Sequence, residues 1–331
     1  MDPLSQAGIG AAAASLAARK GGLRRALVVG IVAGAAPDLD VLIRSDEDPL
    51  LGLQYHRHFT HAIAFAPVIG LVVAGLFRGI FKWPLREVLL PAVLAALSHG
   101  LLDACTSYGT LLYLPFSNYR ESWDVISIID PLFTLPLVVA LLFSFILKRV
   151  RFAQLGLVWC LAYLFFGYSQ RERAEAFALE LAESRGLVAE TVTARPSIAN
   201  LMLWRIVVKS RGRYFVDAVN LVPSRRPTLY SGTTVPVLDL SSFESEQTVL
   251  AKDVARFDHF SQSYLYEVPG KLNVLGDLRY SAFPDSIEPL WGIEYDPNQT
   301  GQHVSMVYFR DLSEGSFQRL WRMIQGKPVD E

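Results

Sequence analysis

The chain has 331 residues, enough for two domains, of which 51% are hydrophobic and 19% charged, with a formal net charge of −1. That composition excludes a disordered chain, a collagen-like repeat and a disulfide-stapled miniprotein, and the near-neutral charge offers no basic face for nucleic acid. The charges are unevenly spread: residues 1–168 hold 13 Lys/Arg and 11 Asp/Glu, residues 169–331 hold 18 and 21, and four of the six histidines lie in the first part.

In chain order the first part reads as six apolar segments, at residues 4–18, 26–43, 62–77, 88–102, 131–147 and 152–168. A helical span needs about 20 mostly apolar residues, with about 17 as the lower limit, and several of the six sit at that limit. The other reading is a large soluble domain of buried helices, and six such segments within 168 residues weigh against it. Lys and Arg collect in alternate loops, at 19–25, at Arg78, Lys82 and Arg86, and at Lys148, Arg149 and Arg151. Because short cytoplasmic loops collect positive charge, the N-terminus, the His- and Asp-bearing loops and the whole second half are expected on the non-cytoplasmic side. The first segment lacks a basic leader and reads as a retained span. Cys105 and Cys160 do not decide the compartment.

After Tyr168 the pattern changes. Residues 169–185 form a charged helix expected to continue the sixth span. Strands are expected at 204–209, 213–219, 272–275, 290–295 and 303–310, rich in β-branched and aromatic residues, followed by a short helix at 317–324. The expected architecture is an α-helical multi-pass membrane bundle of about six spans (1–168), a connecting charged helix (169–187) and a small β-rich α+β extramembrane domain (188–331), mostly antiparallel. His259 and His303 are isolated in that domain and read as structural.

Ionisable side chains at membrane depth are costly and mark function. Here they cluster: Pro37-Asp38-Leu39-Asp40, Tyr55-His56-Arg57-His58-Phe59-Thr60-His61, Ser98-His99 with Asp103, Glu121-Ser122-Trp123-Asp124, and Ile129-Asp130-Pro131. In the six-span arrangement all of them meet at one membrane face. His99 and Asp103, four apart, share a helix face, as do His58 and His61, three apart, if the third helix starts early. His56 reaches in from the loop before it. Asp38 and Asp40 face apart in regular structure. A turn after Pro37 could aim either at the cluster, or let one bind a metal while the other orients a His ring. A His/carboxylate set without thiolate suits Zn²⁺, with Mn²⁺ or Fe²⁺ open. Taken singly, each motif has a plainer reading: a hydrogen-bonded helix pair, a loop turn, a pH-sensitive or headgroup-binding segment. Arg57 reads either as a surface charge or, through its planar fork, as a phosphate clamp. Tyr119 and Trp123 read as interfacial aromatics. The joint occurrence favours a metal site.

The run PDLD, HRHFTHA, LSHGLLDACTSYGTLLYLPF and SWDVISIIDP resembles the bacterial membrane-bound metal-dependent hydrolase family, which includes the LexA-regulated inner-membrane hydrolases. Residues 1–168 carry these motifs in the family order, and the NLMLWRIVV and GDLRY segments resemble the C-terminal extension of longer members. The resemblance implies a multi-pass inner-membrane protein with metal-dependent hydrolase activity, and its pattern falls on Asp38, Asp40, His56, His61, His99, Asp103 and Asp130. Members commonly place a His after their DPLT- or DNLT-like start, where this chain has Gln6. One site of a multi-metal cluster would then be altered, with His58 as a possible substitute. A fainter similarity to zinc-dependent phospholipase C points to phosphoesters.

The expected chemistry is hydrolysis of an ester or phosphoester in a lipid or lipid-linked substrate. His56, His61, His99 and Asp103, with Asp38 or Asp40, would hold one or two divalent ions that activate water, while Asp124 or Asp130 takes the proton and Arg57 clamps the substrate. The rival is a non-enzymatic membrane protein, a metal or ion transporter or a lipid-binding scaffold. A transporter should show internal repeats and ionisable groups near the bilayer midplane. Here no repeat is evident and the groups sit at span ends.

Overall fold

A computed structural model describes residues 1–222, 225–244, 248–309 and 315–329, in two compact units. The first comprises Met1–Ile43 and Tyr55–Gly167, the second Arg44–Gln54 and Tyr168–Glu331.

In the first unit, α1 (Pro3–Ser15) and α2 (Leu23–Ala35) pack closely as a hairpin. Asp2 caps α1 by accepting from the amides of Leu4 and Ser5. Glycines let the two backbones touch: a Cβ on Gly10 would lie 2.5 Å from the Gly30 carbonyl and 2.7 Å from Gly34 Cα. Such small-residue contacts are how membrane helices associate, since lipid offers no hydrophobic drive between them. Pro37 then turns the chain into a 3₁₀ segment, Ala36–Leu42. After the short α3 (Leu51–Tyr55), most of which belongs to the second unit, come α4 (Ala66–Phe81) and α5 (Leu85–Ala104), and α5 packs against α1, α2 and α4. Next come α6 (Pro131–Leu147) and the long α7 (Val150–Ser184).

Among the described residues three helices are long and apolar enough to cross a membrane, Ile63–Phe81, Leu85–Ala104 and Val150–Ser184, and Pro131–Leu147 is a shorter apolar helix. The expected six spans are therefore not reached. α1 and α2 have 13 residues each, about 20 Å of helix against a hydrocarbon core of about 30 Å. The first ends at Leu16, whose amide bonds back to the Ala13 carbonyl, and Pro37 follows directly on the end of the second. The outward faces are apolar nonetheless: Val72 and Leu76 on α4, Leu135 and Leu142 on α6, and Leu161 and Phe165 on α7 are all more than half exposed, as lipid-facing residues are.

In the second unit, α7 continues without a break past Tyr168 to Ser184, as the charged pattern predicts. A four-stranded antiparallel sheet follows in the order β1 (Thr191–Pro196), β2 (Leu203–Ser210), β3 (Arg213–Asn220), β4 (Thr228–Pro236). After α8 (Ser241–Glu244) and α9 (Val249–Ser261) comes a second antiparallel meander, β5 (Leu265–Glu267), β6 (Val274–Asp277), β7 (Trp291–Glu294), β8 (Ser305–Tyr308), then α10 (Ser316–Ile324). The two sheets share a core of Val207, Tyr214, Val216, Tyr266 and Val274. The antiparallel β-rich expectation holds. β1, β4, β5 and α9 were not foreseen, the expected 272–275 strand starts at Val274, and Arg310, last of the expected 303–310 strand, lies outside the described residues.

Candidate metal centre

Three stretches of the first unit converge on one point. The last turn of α5 brings His99 and Asp103 onto one face, the 3₁₀ segment after α2 brings Asp38, and a second 3₁₀ turn, Phe59–His61, brings His61. Gly100 makes the approach possible, because a Cβ there would sit 2.0 Å from the His61 carbonyl oxygen.

His61 Nε2 and His99 Nε2 lie 2.8 Å apart. Asp38 Oδ1 is 3.5 and 3.4 Å from these two atoms, and Asp103 Oδ2 is 3.1 and 3.6 Å from them. An ion bonded to four such donors at about 2.0–2.1 Å in a tetrahedron sets them about 3.3 Å apart, the middle of this range. The tautomers suit the purpose. His99 Nδ1–H donates to the Gly34 carbonyl (2.6 Å), and His61 Nδ1–H donates to Thr60 Oγ1 (3.0 Å), whose own hydroxyl donates to Asp40 (3.1 Å). Each ring thus turns an Nε2 lone pair to the centre. Arg57 and the Met1 amino group pair with Asp103, while Asp38 and the two imidazole lone pairs still face one another and would be drawn together by a cation among them. Asp103 Oδ2, fully buried, accepts no hydrogen bond. Burial opposes a charge on His61, but the Asp103 and Asp38 carboxylates beside it raise its pKa above the ordinary imidazole value. The donor set therefore fits a divalent ion.

The remaining expected residues fall around this group. Asp40 stands behind it, accepting from the Arg57 amide (2.8 Å) and pairing with His56 Nδ1 (2.9 Å); neither Asp40 nor His56 is among the four donors. His58 lies outside too, its pKa lowered by burial and by Arg120. Arg57 is buried rather than open to substrate. Its Nε lies 3.1 Å from Asp103 Oδ2, its Nη1 donates to Thr106 Oγ1 (2.6 Å), and its guanidinium covers Tyr108. Gln6 does reach the group, donating to Asp103 Oδ1 (2.7 Å) beside the Met1 amino group, while its own Oε1 is buried without a partner. Asp124, in left-handed backbone (φ 52°), lies between Trp123 and Val125, whose amides bond to the carbonyls of Ala104 and Cys105 at the end of α5. Asp130 caps α6, accepting from the Leu132 and Phe133 amides and from Tyr163 Oη (2.8 Å), and burial raises its pKa. Sequence reasoning missed Thr60, Gly34 and Gly100. Only the glycines left a signal, as residues without side chains inside helices.

The group opens on one side. Asp38 is a quarter exposed whereas the His61, His99 and Asp103 side chains are wholly buried. Beside Asp38 in the same segment, Leu39, Val41 and Leu42 stand exposed. A second convergence lies in the other unit, where Asp48, Asp253 and His303 bring donors within 4.8 Å of one another. There a cation is already in place: Arg256 forks onto Asp48 (2.9 and 3.1 Å) and reaches Asp253 (3.0 Å), while His303 Nδ1 pairs with Asp253 (2.8 Å).

Residues 1–174 match the family model described as YdjM inner membrane protein, and the chain belongs to that family. Inner membrane protein YbcI of Escherichia coli (strain K12) is 34% identical over 113 residues, covering 31% of this chain and 62% of that relative. The chain thus spans less than two thirds of this relative's length. No solved structure matches. The match carries the membrane part of the expected resemblance, a bacterial inner-membrane protein, and specifies no reaction.

Proposed function

We propose that the chain is a membrane-embedded metal-dependent hydrolase whose divalent ion, Zn²⁺ by donor chemistry with Mn²⁺ or Fe²⁺ as alternatives, is held by Asp38, His61, His99 and Asp103. The observation that carries this reading is the meeting of two imidazole Nε2 atoms and two carboxylate oxygens at 2.8–3.6 Å, with the outer ring nitrogens already committed. When bound there, the ion supplies Lewis acidity, bringing the ionisation of a water molecule into the neutral range and polarising a phosphoryl or acyl oxygen.

The chain's own residues do the rest. Thr60 and Asp40 hold the His61 ring, and the Gly34 carbonyl holds His99, so neither ring needs reorienting. Arg57 lies against Asp103 and balances its charge. The Asp40–His56 pair stands at the margin of the group with the His56 ring a quarter exposed, and it takes up and returns the proton. The exposed Leu39, Val41 and Leu42 beside Asp38 favour a substrate with an apolar tail, an ester or phosphoester of a lipid or lipid-linked molecule. Helix direction supports a non-cytoplasmic placement of the site. The α1–α2, α4–α5 and α6–α7 turns carry the Lys/Arg residues, while the donors sit at the opposite helix ends, the non-cytoplasmic face by the positive-inside rule.

Metal analysis of the purified full chain tests this. The expected result is stoichiometric divalent metal that is lost in a His61→Ala/His99→Ala variant, with turnover on a phospholipid and phosphoester panel lost in His99→Ala. Absence of stoichiometric metal, or its retention in the double variant, overturns the proposal.

A further inference from the structure

The last helix, α10, divides its faces in an unusual way. Met323, fully buried, with Leu320 and Ile324, packs on Leu203, Ala218 and Tyr230 of the first sheet. Phe317 and Trp321, four apart on one face, stand 75% and 51% exposed. Between Gly315 and Val329 the sequence has three cations, Arg319, Arg322 and Lys327, with Asp311, Glu314, Asp330 and Glu331 flanking that stretch. Arg319 is tied to Asp285 (2.6 Å); Arg322 and Lys327 are exposed, as are Arg225 and Arg226 on the segment whose Arg225 Nη1 reaches the Gln325 carbonyl. Two aromatics rimmed by exposed cations match the pattern of a surface that sits among anionic headgroups.

A chain of hydrogen bonds shows where in the second unit this surface lies. Asn220 Nδ2 donates to the carbonyls of Met323 and Ile324, both at 2.8 Å. The next residue, Leu221, accepts from Gln170 Nε2 at 3.0 Å. Gln170 is only two residues beyond Tyr168, where the apolar run of α7 ends. Within this unit the C-terminal end of α10 is therefore linked to the Gln170 end of α7, just past its apolar run, and not to the far end about 24 Å further along the helix at Ser184.

We propose that α10 docks on the bilayer that α7 crosses, with Phe317 and Trp321 in the headgroup layer and Arg322, Lys327, Arg225 and Arg226 against anionic lipid. This gives the β-rich domain a second attachment to the membrane. The inference is independent of any hydrolase activity.

The test uses the full chain in nanodiscs, with a nitroxide on Phe317→Cys and a second variant labelled at Trp321→Cys. Cys105 and Cys160 are buried, and the labelled parent gives the blank. A label on Val188→Cys, exposed beyond the far end of α7, is the aqueous reference. In discs containing phosphatidylglycerol, collisions of the 317 and 321 labels with oxygen over a water-soluble nickel chelate should rise several-fold above the 188 label, and this gain should shrink in phosphatidylcholine discs. Adding Arg322→Gln or Lys327→Gln should cut the docked-to-undocked ratio by about fivefold per charge, the effect of one cation near an anionic leaflet. Labels at 317 and 321 as water-exposed as the one at 188 overturn the proposal. So do labels shielded from both reagents or broadened by a second spin, because a protein would then cover the face.

Discussion

Thr60→Val separates a metal centre from a network of buried charges. The substitution keeps the shape of the side chain and removes one hydroxyl, which accepts from His61 Nδ1–H at 3.0 Å and donates to Asp40 at 3.1 Å. Loss of such an outer partner typically weakens metal binding by about 10- to 100-fold. The structure favours the lower end, because Asp40 Oδ2 already stands 3.3 Å from the same ring nitrogen and can take the bond directly. The expected loss is about tenfold, or ~1.4 kcal/mol. Asp40→Ala in the same background removes that substitute and should cost a further decade or so, while Thr60→Ser should restore most of the affinity. Competition between the detergent-purified full chain and a chromogenic chelator measures all three. Affinity of Thr60→Val within about twofold of the parent would refute the reasoning, because the ring would then not depend on the partner said to hold it.

Gly100→Ala should push the Phe59–His61 turn away from α5, because the new methyl meets the His61 carbonyl at 2.0 Å. A destabilisation of about 1–3 kcal/mol together with reduced metal content is expected in thermal unfolding and metal analysis, and a variant with parental metal content would contradict the close approach. Asp130→Ala should cost about 1–2 kcal/mol as a lost helix cap yet leave metal content unchanged, so a fall in bound metal would return Asp130 to the centre. In the second unit, burial pushes the Asp48 carboxyl up but the forked Arg256 outweighs it and holds the pKa below the ordinary carboxylate value. The pair's stabilisation is then present above the unfolded value of about 3.9 and lost as pH falls through the lowered folded one. Asp48→Asn should destabilise by under about 1 kcal/mol at neutral pH, a figure reduced for partial exposure, and denaturant unfolding should show the gap closing as the pH falls below about 3.9; a gap that persists in acid would point to shape rather than charge.

Hydropathy located the helices better than it measured them. The Ala- and Gly-rich run at 4–18 looks like a marginal span by composition, but its glycines serve the crossing with α2, where Gly10, Gly30 and Gly34 bring two backbones into contact. Those residues make a helix hairpin, and hairpin packing does not require membrane length. In the polar half the expected strands β2, β3 and β6 are nearly continuous buried runs, legible from their β-branched and aromatic residues. The missed β1 and β4 stand partly exposed and include Thr, Pro and Gly, β5 has only three residues, and charges interrupt the apolar pattern of α9.

Spacing along a helix fixed half of the centre. His99 and Asp103 share a face of α5 because four residues are close to one turn, and nothing outside the helix is needed to bring their donors together. The other half comes from 3₁₀ turns, where spacing carries no such rule. Asp38 and Asp40, or His56 and His61, are equivalent as residue types two and five places apart. What divides them is backbone approach: Gly100 admits the turn bearing His61, and Gly34 offers its carbonyl to His99 from the end of α2, the helix that leads into Asp38. Asp40 and His56, left one step outside, pair with each other, and through Thr60 they hold the ring of the histidine that went in. In the proposed reading these two expected ligands act as supports. A substitution at Asp40 or His56 should therefore weaken the metal by degrees, whereas one at His61 or His99 should abolish it.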